Sequence, residues 1–317
     1  MPRCLTWPVQ RSGPTRSALP GLSLRLWLRL SLRLSLRLSL RFMLLSLSLG
    51  LLIALAMSGP AMARSDASTV EPSEPSALSS LAALSGTPGG SDFAHYTLAL
   101  TWHPGFCSTR RQPPRECRDA SLSRGAADGF VLHGLWPSLP ARFAADGVVR
   151  EQWWRQGCFI ESSRASGSFC RAHPPFHLPK ALDQSLDRAM PGRASCLDRY
   201  QYAKHAACLA LPVDDYFAAA VALRETVNAS VFGDFVNQHR GGEVARNALI
   251  TVFEAAFGEG TGRALRLECG GRGNRVLTEI RIGIAAERLA AFPAADSLVS
   301  LGRGRCATRV RVMAGDQ

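Results

Sequence analysis

Leu stands at alternate positions and Arg at every fourth through residues 25–42, RLWLRLSLRLSLRLSLRF. An apolar run from Met43 to Met57 follows, then a small-residue site, Ala61-Met62-Ala63. A basic region, an apolar region and an A-x-A site together make a secretory signal peptide, so residues 1–63 are read as leader. The Arg-Leu-Ser-Leu pattern also suits an amphipathic segment lying on a membrane surface. Residues 64–91 are rich in Ser, Pro, Gly and Ala, with too little apolar bulk to fold, and are expected to form a flexible arm. The folded domain is expected over 92–317. Its first strands are HYTLALTW (95–102) and GFVLHGLW (129–136), separated by a twisted segment between Cys107 and Cys117 that holds two prolines.

Helical patterns then dominate. REQWWRQGC (150–158) is short, and PKALDQSLDRAM (179–190) starts on Pro and spaces Leu182, Leu186 and Met190 by four. SCLDRYQYAKHAAC (195–208) has Ser195 where an N-cap belongs. DDYFAAAVALRETV (214–227) and EVARNALITVFEAAFG (243–258) are the strongest helices. Strands return in RALRLEC (263–269), VLTEIRIGI (276–284) and TRVRVM (308–313). Strands first, helices next and strands last predict an α+β fold with a mainly antiparallel central sheet and several flanking helices.

Charge adds little. The chain is +12, but residues 1–63 hold eight Arg and no acid. Without them 29 basic residues face 25 acidic ones, or +4, which permits a polyanionic partner without demanding one. Cysteine says more. Cys4 leaves with the leader, and eight remain: Cys107, Cys117, Cys158, Cys170, Cys196, Cys208, Cys269 and Cys306. An even count in an exported domain reads as four disulfides. Zinc is the competing reading, but no C-x-x-C pair occurs, and no metal or other cofactor is expected.

The chain uses 37 Lys and Arg residues, of which Lys180 and Lys204 alone are lysines. Lys204 stands beside His205 on a predicted helix, and Gln201 shares their face. A neighbouring ammonium lowers an imidazole's pKa and offers a point charge to an anion such as phosphate. The plain alternative is an exposed basic helix surface. His133 lies in a predicted core strand, where period-two alternation sets Val131, His133 and Leu135 on one face and Phe130, Leu132 and Gly134 on the other. That ring is either a satisfied core histidine or a functional one, and Gly134 leaves room for a group to approach the backbone. Two histidines and a lysine suit metal-free RNA cleavage, which needs a base for the 2′-OH, an acid for the departing 5′-oxygen and a cation for the phosphorane.

FVLHGLWPS and YAKHAAC resemble the two active-site segments of the ribonuclease T2 family. The likeness covers most of residues 93–306, through LALTWHPGFC, SCLDRYQYAKHAACLALPVDDYF and the late LEC and LTEI, and is strongest toward the bacterial periplasmic, ribonuclease I type. It implies an endoribonuclease that cleaves single-stranded RNA through 2′,3′-cyclic phosphates with broad base preference. His133 would be the general acid, His205 the general base and Lys204 the cation that stabilises the phosphorane. Trp136 and Pro137 would wall the site, and Thr101 and Trp102 would border a base pocket. Tyr200 stands where many members carry a third histidine, and is counted with the substrate-binding residues. The resemblance also implies the pairs Cys107–Cys117, Cys158–Cys208, Cys170–Cys196 and Cys269–Cys306. The expected partner is RNA, met as a monomer in the periplasm or outside the cell, without stable membrane association once the leader is gone.

The chain departs from the family in carrying Gln201 for a glutamate and Ala206 for a glycine. Gln keeps the shape but removes a charge that would support a protonated imidazole. This leaves two competitors: a catalytically impaired T2-like fold that binds RNA or a protein partner, and a different exported phosphodiesterase or phosphatase that needs a divalent ion. Other signals are bland. His173 and His177 are split by two prolines, and Trp153 and Trp154 read as core and rim packing. Asn228-Ala229-Ser230 fits a glycosylation acceptor without pointing to a function.

Overall fold

The computed structural model describes residues 77–86 and 92–315, so the leader expected over 1–63 lies outside the described residues. Six strands form one sheet: β1 (His95–Thr101), β2 (Val131–Pro137), β3 (Glu243–Ala245), β4 (Leu265–Gly270), β5 (Val276–Ala285) and β6 (Arg309–Arg311). The helices of seven or more described residues are α1 (Ala77–Gly86), α2 (Arg150–Gln156), α3 (Lys180–Ala189), α4 (Leu197–His205), α5 (Val213–Asn228), α6 (Val231–Gln238) and α7 (Arg246–Phe257). The sheet runs β2-β1-β5-β6-β3, with β4 on β5 as well; every pairing is antiparallel except one parallel contact between β5 and β6. The fold is therefore the α+β arrangement that the order of patterns predicts. Four disulfides staple it: Cys107–Cys117, Cys158–Cys208, Cys170–Cys196 and Cys269–Cys306.

Alternation gives the sheet two unlike faces. Tyr96, Leu98 and Leu100 of β1 lie opposite Ile284, Ile282 and Ile280 of β5, and Leu265 and Leu267 of β4 extend the row. All are buried in the main apolar core, which α5 covers from the helical side. α5 begins after Pro212 with Asp214 and Asp215 in its first turn, where carboxylates favour the helix dipole. The opposite face carries Thr101, Glu279, Arg281, Arg266 and Glu268, and this is the face that becomes chemical.

Strand β2 departs from simple alternation. Ala99 pairs with Gly134 and Leu100 with Leu132, which leaves His133 as the extra residue of a β-bulge. The bulge shifts the phase. Leu132 and Leu135 both enter the core, while His133 and Trp136 come to the same, polar side. Uninterrupted alternation would have placed Leu135 beside His133 and Trp136 behind it.

Three further expectations are corrected. Within the arm expected over 64–91, residues 77–86 form α1, whose Leu81 and Leu84 are buried against α5 and the turn at 286–291. Averaged composition hides this spacing of three, which places both leucines on one helical face. Ser195 does not cap α4. Cys196 occupies that position with φ +58, and the Ser195 hydroxyl donates instead to Glu116 at 2.7 Å. Finally, the helix expected over 243–258 begins only at Arg246, because Glu243–Ala245 pair with β6 as β3. The Asn228 side chain bonds both the N–H and the carbonyl of Phe130 at 2.9 Å, and Ser230 caps α6.

Candidate active site

Trp136 is the hub. Its indole lies stacked with His205, ring centres 5.4 Å apart and planes 22° from parallel. Edge-on to it stand His133 at 5.0 Å and Trp154 at 5.4 Å. Its Nε1–H donates to Gln201 Oε1 at 2.6 Å, a bond buried beneath the site. Two histidines brought by different elements, β2 and α4, thus meet on one indole. Gly134 makes this possible: a Cβ there would sit 2.4 Å from the indole nitrogen and 2.6 Å from Gln201 Oε1. The room that glycine leaves is filled from within.

His133 is held from the other side. Its Nδ1 bonds Glu279 Oε2 at 2.5 Å, and Glu279 Oε1 accepts from Arg281 Nε at 2.5 Å. Nε2 makes no hydrogen bond among the described residues. About a third of the His133 side chain is exposed, whereas His205 is buried at 6%. Burial pushes the His205 ring well below its ordinary pKa, and the neighbouring Lys204 and His133 push the same way. Such a ring is neutral near pH 7 and able to accept a proton. Burial also lowers the Lys204 ammonium, with Arg164 adding repulsion. Burial would raise the Glu279 carboxyl, but His133 and Arg281 outweigh it and hold the group below the usual glutamate value.

The C-terminal turn of α4 is anchored at its back. Gly157 approaches so closely that a Cβ would lie 2.1 Å from the Lys204 carbonyl oxygen, and its φ of +53 also favours glycine. The next residue, Cys158, is bonded to Cys208. The chain after α2 therefore clamps the helix that carries Lys204 and His205.

The remaining sequence candidates separate. Thr101 is buried on the polar face of β1, directly opposite Glu279. Tyr200 turns into an aromatic cluster, stacked on Phe169 at 4.1 Å, with the Arg164 guanidinium 5.2 Å over its ring. Trp102 does not border a pocket. It is fully buried, its Nε1 donates to Met313 O at 2.9 Å, and Arg240 covers its ring at 4.6 Å. Sequence reasoning assigned no role to Glu279 or Arg281, although an acid and a base two apart on a strand share a face. Trp154 packs at the rim as the sequence suggests, 45% exposed and edge-on to the hub.

Two other features carry no chemistry of this kind. Among the described residues a metal-sized grouping occurs at His103, Cys107 and Cys117, but both thiols are spent in a disulfide. A cleft of about 450 Å³ shares no residue with the hub, and Arg193, one of its lining residues, pairs with Asp183, Asp187 and Asp198.

Comparison with known proteins gives a consistent result. The sequence model of the Ribonuclease T2 family matches residues 93–293. Ribonuclease I of Escherichia coli (strain K12) is 36% identical over 220 residues, which span 66% of this chain and 81% of that protein. A ribonuclease of Aeromonas hydrophila is 28% identical over 134 residues, 42% of this chain and 46% of that one. Among solved structures, the self-incompatibility-associated SF11-RNase of Nicotiana alata aligns at 18% identity and a TM-score of 0.43, over 70% of this chain and all of that one.

Proposed function

The chain belongs to the ribonuclease T2 family, and from that premise we propose that it cleaves single-stranded RNA by transphosphorylation, without a metal, through 2′,3′-cyclic phosphates. The observation that carries this reading is the pair of imidazoles on one indole, one ring buried and neutral, the other partly exposed and held by a carboxylate. His205 takes the proton of the ribose 2′-OH. The 2′-oxygen attacks phosphorus, the bond to the 5′-oxygen breaks, and His133 delivers a proton from Nε2 to that oxygen. Throughout, the Nδ1–H of His133 stays on Glu279, which sets the ring's orientation and tautomer. Lys204 meets the charge that builds on the phosphorane, a compact ammonium suiting a phosphate that changes shape.

Acid, base and cation are all side chains, which supports metal independence. Broad base preference is part of the reading, because aromatic faces such as the exposed Trp154 accept any base. Export to the periplasm or beyond the cell is supported by the leader pattern and by four disulfides. No described helix is long and apolar enough to cross a membrane. We take the working form to be a monomer.

The test is release of cyclic-phosphate ends from mixed RNA in EDTA, with His133→Ala and His205→Ala each at least about 100-fold slower. Near-full activity in either folded variant would overturn the assignment. A second reading, an impaired fold that binds RNA or a protein partner, rests on the neutral Gln201. It predicts binding without cleavage by the parent.

A further inference from the structure

The charged chain that holds His133 does not stop at Arg281; an ion pair continues it across the polar face of the sheet. Arg281 Nη1 lies 3.7 Å from Glu268 Oε1, on the neighbouring strand β4. The same Glu268 accepts from Arg266 Nε at 2.6 Å and from Arg305 Nε at 3.0 Å. In register, Arg266 lies opposite Arg281 and Glu268 opposite Glu279. Like charges face each other across the two strands, an arrangement tolerated here because each pair is bridged by the opposite charge on the diagonal. Both carboxylates are buried and committed: Glu268 to arginines alone, Glu279 to His133 and Arg281.

The charges do not cancel. Three guanidiniums (Arg266, Arg281 and Arg305) face two carboxylates (Glu268 and Glu279), leaving one positive charge. Arg266 and Arg305 are tied to Glu268 through Nε, and their Nη groups make no other hydrogen bond among the described residues. The Arg305 side chain is 72% exposed and that of Arg266 32%. Two planar forks are thus fixed at the root with their outer N–H edges free, the presentation that suits a phosphate.

We propose that Arg266 and Arg305 hold a phosphate of the RNA strand outside the nucleotide pair being cleaved. The inference rests on the reading of the protein as a ribonuclease and names a further part of its binding surface. Geometry separates this phosphate from the reacting one. β4 lies three strands from β2, about 14 Å at about 4.8 Å per strand, whereas the scissile phosphate belongs between His133 and His205. A dinucleoside monophosphate carries only the scissile phosphate and cannot fill the arginine site; a longer strand can.

Two measurements test it. The first is binding of a fluorescent 2′-deoxyoligonucleotide of about eight residues, which lacks the 2′-OH and is not cleaved, from about 50 to 200 mM salt. Loss of one phosphate contact should reduce the slope of log Kd against log salt by about 0.7, so R266Q/R305Q lowers it by about 0.7 and Arg305→Ala, which leaves Arg266 on the same phosphate, by a smaller part of that. The second is the ratio of kcat/KM on an octaribonucleotide to that on a dinucleoside monophosphate, expected to fall about tenfold in the double variant, which corresponds to about 1.4 kcal/mol. Circular dichroism verifies that the variants are folded; Arg305→Ala, at an exposed position, keeps the test available if the double variant is not. An unchanged slope and ratio in folded variants overturn the arginine site, while a parent that cleaves both substrates keeps the catalytic reading. A parent that cleaves neither, but whose salt slope depends on Arg305, overturns the catalytic reading and keeps the arginine site.

Discussion

Gln201→Glu restores the residue that the family pattern carries and asks whether the hub governs proton transfer. Gln201 is 3% exposed, its Oε1 already accepts from the Trp136 indole, and it precedes His205 by four on α4. A carboxylate of the same shape can accept that bond, so the indole should stay in place. Helical neighbours at this spacing have Cβ atoms about 5–6 Å apart. At 6 Å and an effective dielectric constant of about 20, a unit charge would stabilise the imidazolium by up to about 2.8 kcal/mol, or about two pKa units. Side-chain adjustment and incomplete ionisation of a buried carboxyl reduce this to about one to two units. His205 stands well below its ordinary value through burial, Lys204 and His133, so the substitution moves it back upward. A base must be unprotonated to act. The acidic limb of kcat/KM against pH should therefore move up by about one to two units, and the plateau rate should rise about three- to tenfold as the base strengthens. The assay is cleavage of a dinucleoside monophosphate across pH 4–9, beside NMR titration of the His205 ring. A ring that titrates where it did before, or an acidic limb that moves down, would refute the electrostatic link between positions 201 and 205.

Glu279→Gln should keep the fold but lose a charged acceptor for His133 Nδ1, lowering kcat/KM by about 10- to 100-fold with little change in KM, as for other partners that orient a functional imidazole. Steady-state kinetics on the dinucleoside substrate check this, and an equal loss confined to KM would contradict it. Glu268 and Glu279 both sit below the ordinary value of 4.5, despite burial, because arginines and His133 hold them ionised. Their stabilisation is complete above pH 4.5 and is lost as pH falls through the lower folded values, so Tm should drop on acidification below about pH 4.5 and drop less in Glu268→Gln. Replacing Cys158 and Cys208 by Ser opens a loop of sequence separation 50, worth about 4 kcal/mol on the chain-entropy account, and should lower Tm markedly in a thermal melt.

Local pattern reveals whatever local chemistry decides. Most helix positions follow from Pro, acidic first turns and apolar spacing, and α5 lies within a residue of its expected ends. His133, His205 and Lys204 stand out because imidazole and ammonium are scarce in this chain. What stays hidden is decided by pairing between distant segments. The bulge at His133 arises from how β2 meets β1, not from any residue that announces a bulge, and it alone turns Trp136 toward both histidines. Glu279 lies 146 residues after His133, and only when β5 pairs with β1 does a glutamate in an alternating strand become the partner of a histidine two strands away. Trp102 shows the converse: a tryptophan beside a catalytic-looking strand is held in the core by Met313 O and Arg240, both more than a hundred residues further along the chain. α1 was hidden for the same reason, since Leu81 and Leu84 bury surface only once α5 is there to receive them. The polar face is thus a product of topology. Each of its charges would pass for solvent-facing decoration on its own strand, and sheet pairing converts them into one connected system running from Arg305 to His133.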